Sequence, residues 1–284
     1  MLIELRLEQS RQLVDAQQAF AAYRQARAAL ARDHRGSMRW RKINGGEYLV
    51  FTLDGRETSL GKRSPETEAK TLAFVSGRAE AKRRRDSLAA RVKDMRTVNM
   101  GYRLGRVPEL SARIIDAIDR AGLLDGRVRI VGATALYAYE ARCGVRFDSG
   151  LLATEDLDLL LDARAELQIA ADHGIDIGAI LKRADRSFDV HHAEYAVNDQ
   201  GFEVDILRPD DGSAGLLADA PFDEIAISER GNPVFLSVPE ASAMARHKRW
   251  LGHLPGRKPS KRPRDLAQAE AVEQLVKAYL PGRP

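Results

Sequence analysis

The chain has 284 residues, 44% apolar and 30% charged, enough for one large or two ordinary folded domains, and no apolar run of about 18 residues that would span a membrane as a helix. Its first residues, MLIELRLEQS, carry acids among their apolar positions, unlike a signal peptide, and the single cysteine, Cys143, excludes an internal disulfide; both suit a cytoplasmic protein. The net charge of +4 is segregated: residues 1–100 carry 21 Lys+Arg against 12 Asp+Glu, residues 101–240 carry 14 against 26, and residues 241–284 carry 10 against 3.

Leu2 to Ala31 contains neither Gly nor Pro and predicts one long helix, closed by Arg35-Gly36. Ser37 to Gly61 predicts a three-stranded meander with turns at Asn44-Gly45-Gly46 and Asp54-Gly55. Ser64 as N-cap and Pro65 at the first helical position open a second helix, which runs to about Met95 and carries Lys82-Arg83-Arg84-Arg85. Arg39, Trp40, Arg41 and Lys42 on the meander suit a phosphate backbone or a stacked base, and the RKING hairpin loosely resembles the small β arm-binding domains of phage integrases. The competing expectation is a helical hairpin that packs on the rest of the chain or forms a homo-oligomer through its N-terminal helices.

After a connector at residues 97–107, Leu110, Ile114, Ile115 and Ile118 form the apolar stripe of a helix over Pro108–Leu123. A short strand, Val128–Val131, ends in Gly132-Ala133-Thr134, where a compact helix starts. Asp156 to Leu161 predicts another strand. Leu157, Leu159 and Leu161 take one face, and Asp156 and Asp158 take the other, about 7 Å apart at Cα. The segment Ala163–Asp185 predicts helix and loop, Ser187–Val197 a strand, and Asn198–Gly201 a hairpin turn into FEVDIL, which offers Asp205 and, on the same face, Glu203. Two C-terminal helices begin at Pro239 and Pro263, joined by GHLPGRKPSKRP, a segment of mobile composition. His191 and His192 alternate across a strand and the other histidines are scattered, so no zinc site is expected, nor does a Walker-type or Rossmann glycine pattern occur.

Paired carboxylates repel unless a cation holds them, and three aspartates from two strands make an oxygen-rich cage suited to a hard ion such as Mg²⁺. The turn at Gly132-Ala133-Thr134, the Asp156-Leu157-Asp158 strand and Asp205 together resemble the nucleotidyltransferases of the DNA polymerase β superfamily. The stretch VGATALYAYEARCGVRFDSGLLATEDLDLLL is most similar to its minimal bacterial branch, which includes abortive-infection and type IV toxin enzymes of toxin–antitoxin systems. Two departures are an alanine at position 133, where the family has Gly or Ser, and a longer gap to Asp156.

The resemblance covers roughly Pro108 to Leu275 and implies an α+β fold. A polymerase β-type core at residues 101–238 would follow a basic helix–meander–helix extension at 1–100 and precede a helical segment at 239–284. It implies Asp156, Asp158 and Asp205 as catalytic residues and ligands of Mg²⁺ or Mn²⁺. It also implies Gly132, Ala133, Thr134, Arg146, Lys248 and Asp265 as the nucleotide-binding set, with Asp265 holding Lys248 or a nearby arginine. The expected reaction moves an NMP from an NTP, ATP among them, to a hydroxyl of RNA such as tRNA, of a protein or of a small molecule. The rival expectation is a non-catalytic nucleic-acid-binding or regulatory protein on the same scaffold.

Overall fold

The computed structural model describes residues 2–152, 154, 156–162, 176–191, 195–209 and 212–281. The chain falls into two compact units, one formed by Asp15–Met95 and the other by Met1–Val14 with Arg96–Pro284. The C-terminal helices thus share a unit with the acid-bearing strands, and so do the first residues of the chain.

The chain opens with a short strand, β1 (Ile3–Glu4), where the composition predicted helix; it pairs antiparallel with Val145–Arg146. Helix α1 (Leu7–Asp33) follows, with the Gln9 side chain accepting the Arg6 backbone N–H at 3.0 Å. Strands β2 (Ser37–Ile43), β3 (Gly46–Leu53) and β4 (Arg56–Lys62) form the predicted antiparallel meander. Both of its turns place two successive residues at positive φ, Asn44 and Gly45 at 47° and 75°, Asp54 and Gly55 at 50° and 76°. That is the type I′ geometry whose twist matches the flanking strands. Helix α2 (Pro65–Gly101) starts on Ser64, whose Oγ accepts the Thr67 N–H at 3.3 Å. It continues through residues 97–101, predicted as connector. The last turn is held by the fully buried Asn99, which donates to the Gly231 carbonyl and accepts from Gln12, each at 2.9 Å.

The larger unit continues with α3 (Glu109–Arg120), β5 (Val128–Val131), a 3-10 turn at Gly132–Ala135, α4 (Leu136–Cys143), β6 (Val145–Arg146) and α5 (Ser149–Leu152). Next come β7 (Asp156–Leu161), α6 (Ile177–Ala184), β8 (Asp189–His191), β9 (Tyr195–Val197) and β10 (Glu203–Leu207). The hairpin β11 (Phe222–Ile227) and β12 (Pro233–Val238) and the helices α7 (Ala241–His253) and α8 (Arg262–Tyr279) complete it. The fold is α+β, and its central sheet has the order β5-β7-β10-β9-β8, parallel between β7 and β10 and antiparallel elsewhere.

Two further features differ from the sequence expectation. Ser187–Val197 is two short antiparallel strands, in which His191 faces Tyr195 and their rings stack at 4.8 Å. The β11–β12 hairpin carried no visible signal. Of the predicted helix-and-loop segment, residues 163–175 lie outside the described residues, as do His173 and His192, while Ile177–Ala184 is helical. Among the described residues, no helix is long and apolar enough to cross a membrane.

Candidate active site

The alternation of β7 does what period two requires. Leu157, Leu159 and Leu161 are buried on one face, while Asp156, Asp158 and Leu160 line a cleft of about 340 Å³ on the other. The parallel register of β10 sets Asp205 beside Asp158 and Glu203 beside Asp156. Asp205 lines the same cleft; Glu203 is exposed and borders an adjoining groove with Thr154, Asp156 and Lys261. Neighbouring strands lie about 4.8 Å apart, so the Asp158 and Asp205 carboxylates are forced together by backbone pairing alone.

The antiparallel register of β5 sets Val131 opposite Asp158, so the next residue, Gly132, turns directly over that carboxylate. Gly132 has φ of +69°, and a Cβ built on it would lie 1.9 Å from Asp158 Oδ2. Only glycine fits there. Ala133, which departs from the family pattern, has no positive φ and lines the cleft without distorting the turn. Thr134 is buried, does not line the cleft, and its hydroxyl has no hydrogen-bond partner among the described residues.

The facing wall comes from α7, α8 and the loop joining them, and it is cationic. Asp265 accepts from Lys248 Nζ at 3.1 Å and from Arg257 Nε at 2.7 Å, and the Lys248 and Asp265 side chains are 7% and 4% exposed. Burial opposes the charge of Asp265, but the Arg257 hydrogen bond and the Lys248 ammonium hold its carboxyl below the usual range. Lys261 reaches Asp156 at 3.4 Å, and Arg264 also lines the cleft. The joining loop, of mobile composition, is stapled by Arg262 Nε donating to the Arg257 carbonyl at 3.1 Å. Leu207, Leu216, Trp250, Leu251 and Leu254 give the cleft an apolar side, and His247 Nδ1 is fixed to the Gly212 carbonyl at 2.9 Å.

Replacing Asp265 by Ala would strand a buried ammonium and is expected to cost about 3 kcal/mol of unfolding free energy. Urea unfolding of Asp265→Ala checks this, and the apolar pair Lys248→Met/Asp265→Leu should recover most of the loss.

Electrostatics separates the three aspartates. Burial and the neighbouring Asp156 charge push the Asp158 carboxyl up to about 6, with Lys248 pulling against them and Asp205 adding to the rise. Asp205 is raised by burial, Asp156 and Glu203. Burial acts on Asp156 too, but the Thr154 hydroxyl and the Lys261 ammonium outweigh it and keep its carboxyl low. Among the described residues no three His, Cys, Asp or Glu side chains stand as a ready-made metal ligand set. Asp156 is engaged by Thr154 and Lys261.

Arg146 is corrected. It lies on β6, which pairs with β1 in a separate two-stranded sheet, and its guanidinium donates to the Arg103 carbonyl. It lines a small cavity with Leu5, Leu104, Arg106 and Glu140, not the acidic cleft. Being close to Asp156 in sequence did not bring it there, because α5 intervenes before β7 begins. Among the cleft residues that sequence reasoning passed over are Thr154, Trp250, Arg257, Lys261, Arg264 and Gln268. The clustering of Arg257, Lys258, Lys261, Arg262 and Arg264 around Asp265 was the signal available for the cations.

The sequence model of a family described as Nucleotidyltransferase matches residues 109–215 and 213–283, a span that contains every residue of the acidic cleft. No curated protein and no solved structure matches the chain. With more than half of its length accounted for by that match, the chain belongs to the nucleotidyltransferase family.

Proposed function

We propose that the cleft transfers an NMP from an NTP to an acceptor hydroxyl, using Asp156, Asp158 and Asp205 with a divalent cation, Mg²⁺ or Mn²⁺. The observation that carries this reading is the convergence of three carboxylates from two paired strands opposite Lys248, Arg257, Lys261 and Arg264. Carboxylates raised above their ordinary range by burial and by each other's charge, as Asp158 and Asp205 are, fit a hard, oxygen-seeking cation. When bound, such an ion lowers the charge repulsion between the attacking oxygen and the α-phosphate and stabilises the leaving oxygen.

The protein's own part is positioning. The apolar side with Trp250 and Leu251 takes the base by stacking and burial, and the α7–α8 cations take the β- and γ-phosphates. Asp265 keeps Lys248 and Arg257 aimed, and Gly132 lets the chain approach the phosphates closely above Asp158. The acceptor hydroxyl forms the new P–O bond as the α–β bridge breaks and pyrophosphate leaves; Asp205 receives the hydroxyl proton.

Incubation of the chain with each α-labelled NTP, Mg²⁺, total RNA and lysate protein tests this. Label in an RNA, protein or small-molecule fraction, lost on adding a chelator, is the expected result and names the acceptor. NTP binding without any transferred label or released pyrophosphate would overturn it in favour of a non-catalytic binding scaffold.

A further inference from the structure

The positive charge of this protein is concentrated in the smaller unit. Residues 15–95 carry 18 Lys+Arg against 10 Asp+Glu, a net charge of +8, while the rest of the chain carries 27 against 31. Within that unit the end of α1, the following Gly36 and the middle of α2 enclose an open groove of about 780 Å³. Arg27, His34, Arg35, Arg78, Lys82 and Arg85 line it, and no acidic side chain does so among the described residues.

We propose that this groove binds the phosphodiester backbone of a nucleic acid. Arg78, Lys82 and Arg85 recur at i, i+4 and i+7, one stripe of α2 with steps of about 6 and 4.5 Å along the helix axis. Arg78 is anchored by donating one N–H to the Gly36 carbonyl at 2.7 Å, a neutral acceptor that orients the guanidinium without cancelling its charge. Arg35 is steadied by Asp54 at 2.7 Å, and Arg85 by Asp86, both acids outside the groove lining. Each guanidinium has five donors, so these anchors leave several for phosphate oxygens. Gly77 lets α2 pack closely on His34, a lining residue: a Cβ there would lie 3.0 Å from His34 Cε1.

The chemistry favours a polyanion over a protein or a lipid surface. Leu30 and Ala31 are the apolar lining residues, and a protein partner would need a larger buried aromatic or aliphatic anchor. A membrane-surface helix needs a strongly apolar face beside its basic one, and the apolar residues of α2 do not gather on one side. Rich in arginine, lined by no acid among the described residues and without a large apolar anchor, the groove has the composition that meets sugar–phosphate backbones.

The test uses the full chain and fluorescein-labelled 20-nucleotide RNA and DNA in anisotropy titrations at 50, 100 and 200 mM salt, beside phosphatidylserine vesicles. Binding to RNA or DNA that weakens steeply with salt is expected, and the ratio of the two reads the sugar preference. Arg78→Ala/Lys82→Ala, both exposed in the free protein, should weaken binding about tenfold and flatten the salt dependence by roughly two ions. The equal-charge control Arg56→Ala/Arg91→Ala, outside the groove, should stay within about twofold. Equal losses in both pairs, or capture by vesicles without nucleic-acid binding, would overturn the proposal. Binding is read without NTP or Mg²⁺, so failure of the transfer reading leaves this result standing.

Discussion

Asp158→Asn is expected to lower nucleotidyl transfer on the order of 10⁴-fold, about 5 kcal/mol, while making the protein harder to unfold in the presence of a chelator. The two effects have one cause. Burial, and crowding by Asp156 and Asp205 that strand register imposes, push the Asp158 carboxyl up to about 6 from an ordinary value of 3.8. Between those values the folded chain holds a proton that the unfolded chain releases. Stability therefore falls as pH rises from about 4 to about 6 and stays lowered above. The Asn variant lacks that charge. It should gain roughly 1–3 kcal/mol over the wild type at pH 7.5, and the gap should close as the pH falls below 4. Urea unfolding across this pH range, with Mg²⁺ and with chelator, is the measurement. A variant that is active, or that is less stable than the wild type at pH 7.5, would show that Asp158 is a structural carboxylate.

Gly132→Ala is expected to leave a folded protein that transfers about 10²- to 10³-fold more slowly. The added methyl would stand 1.9 Å from Asp158 Oδ2, and the backbone there is at φ of +69°. The backbone strain should cost about 1 kcal/mol of stability. The larger loss comes from the carboxylate, which has to move by an ångström or more; a displacement of that size costs about 10²-fold in a positioned reaction. Steady-state kinetics should show the loss mostly in kcat. Ala133→Gly is the companion: with no positive φ to relieve at that position, it should change the rate little. If Gly132→Ala retained the wild-type rate, the Asp158 carboxylate would have no part in the reaction.

The acidic half of the site was legible because it depends on local rules. Period-two alternation assigns Asp156 and Asp158 to one face of β7, and a glycine between a strand and a helix marks a turn with special backbone. The β11–β12 hairpin was not legible for a related reason. All six residues of β12 are buried, so the polar–apolar alternation that announces a strand is absent. The two short strands within Ser187–Val197 were read as one because no Gly, Pro or Asn marks their reversal. The family resemblance implied Arg146 at the cleft, and β-pairing to Ile3, more than 140 residues away, turned it elsewhere.

By itself the sequence determined the carboxylates, the turn glycine, the type I′ turns of the meander and the segregation of charge, since each follows from residue type and short-range periodicity. Beyond Lys248 and its partner Asp265, which the family resemblance implied, tertiary structure alone decided which cations face those carboxylates. Lys248, Arg257, Lys261 and Arg264 reach the cleft because α7 and α8 pack together and Asp265 binds Lys248 and Arg257 from one buried position. No local rule contains that information: a long basic side chain takes its direction from the buried partner that desolvation obliges it to find.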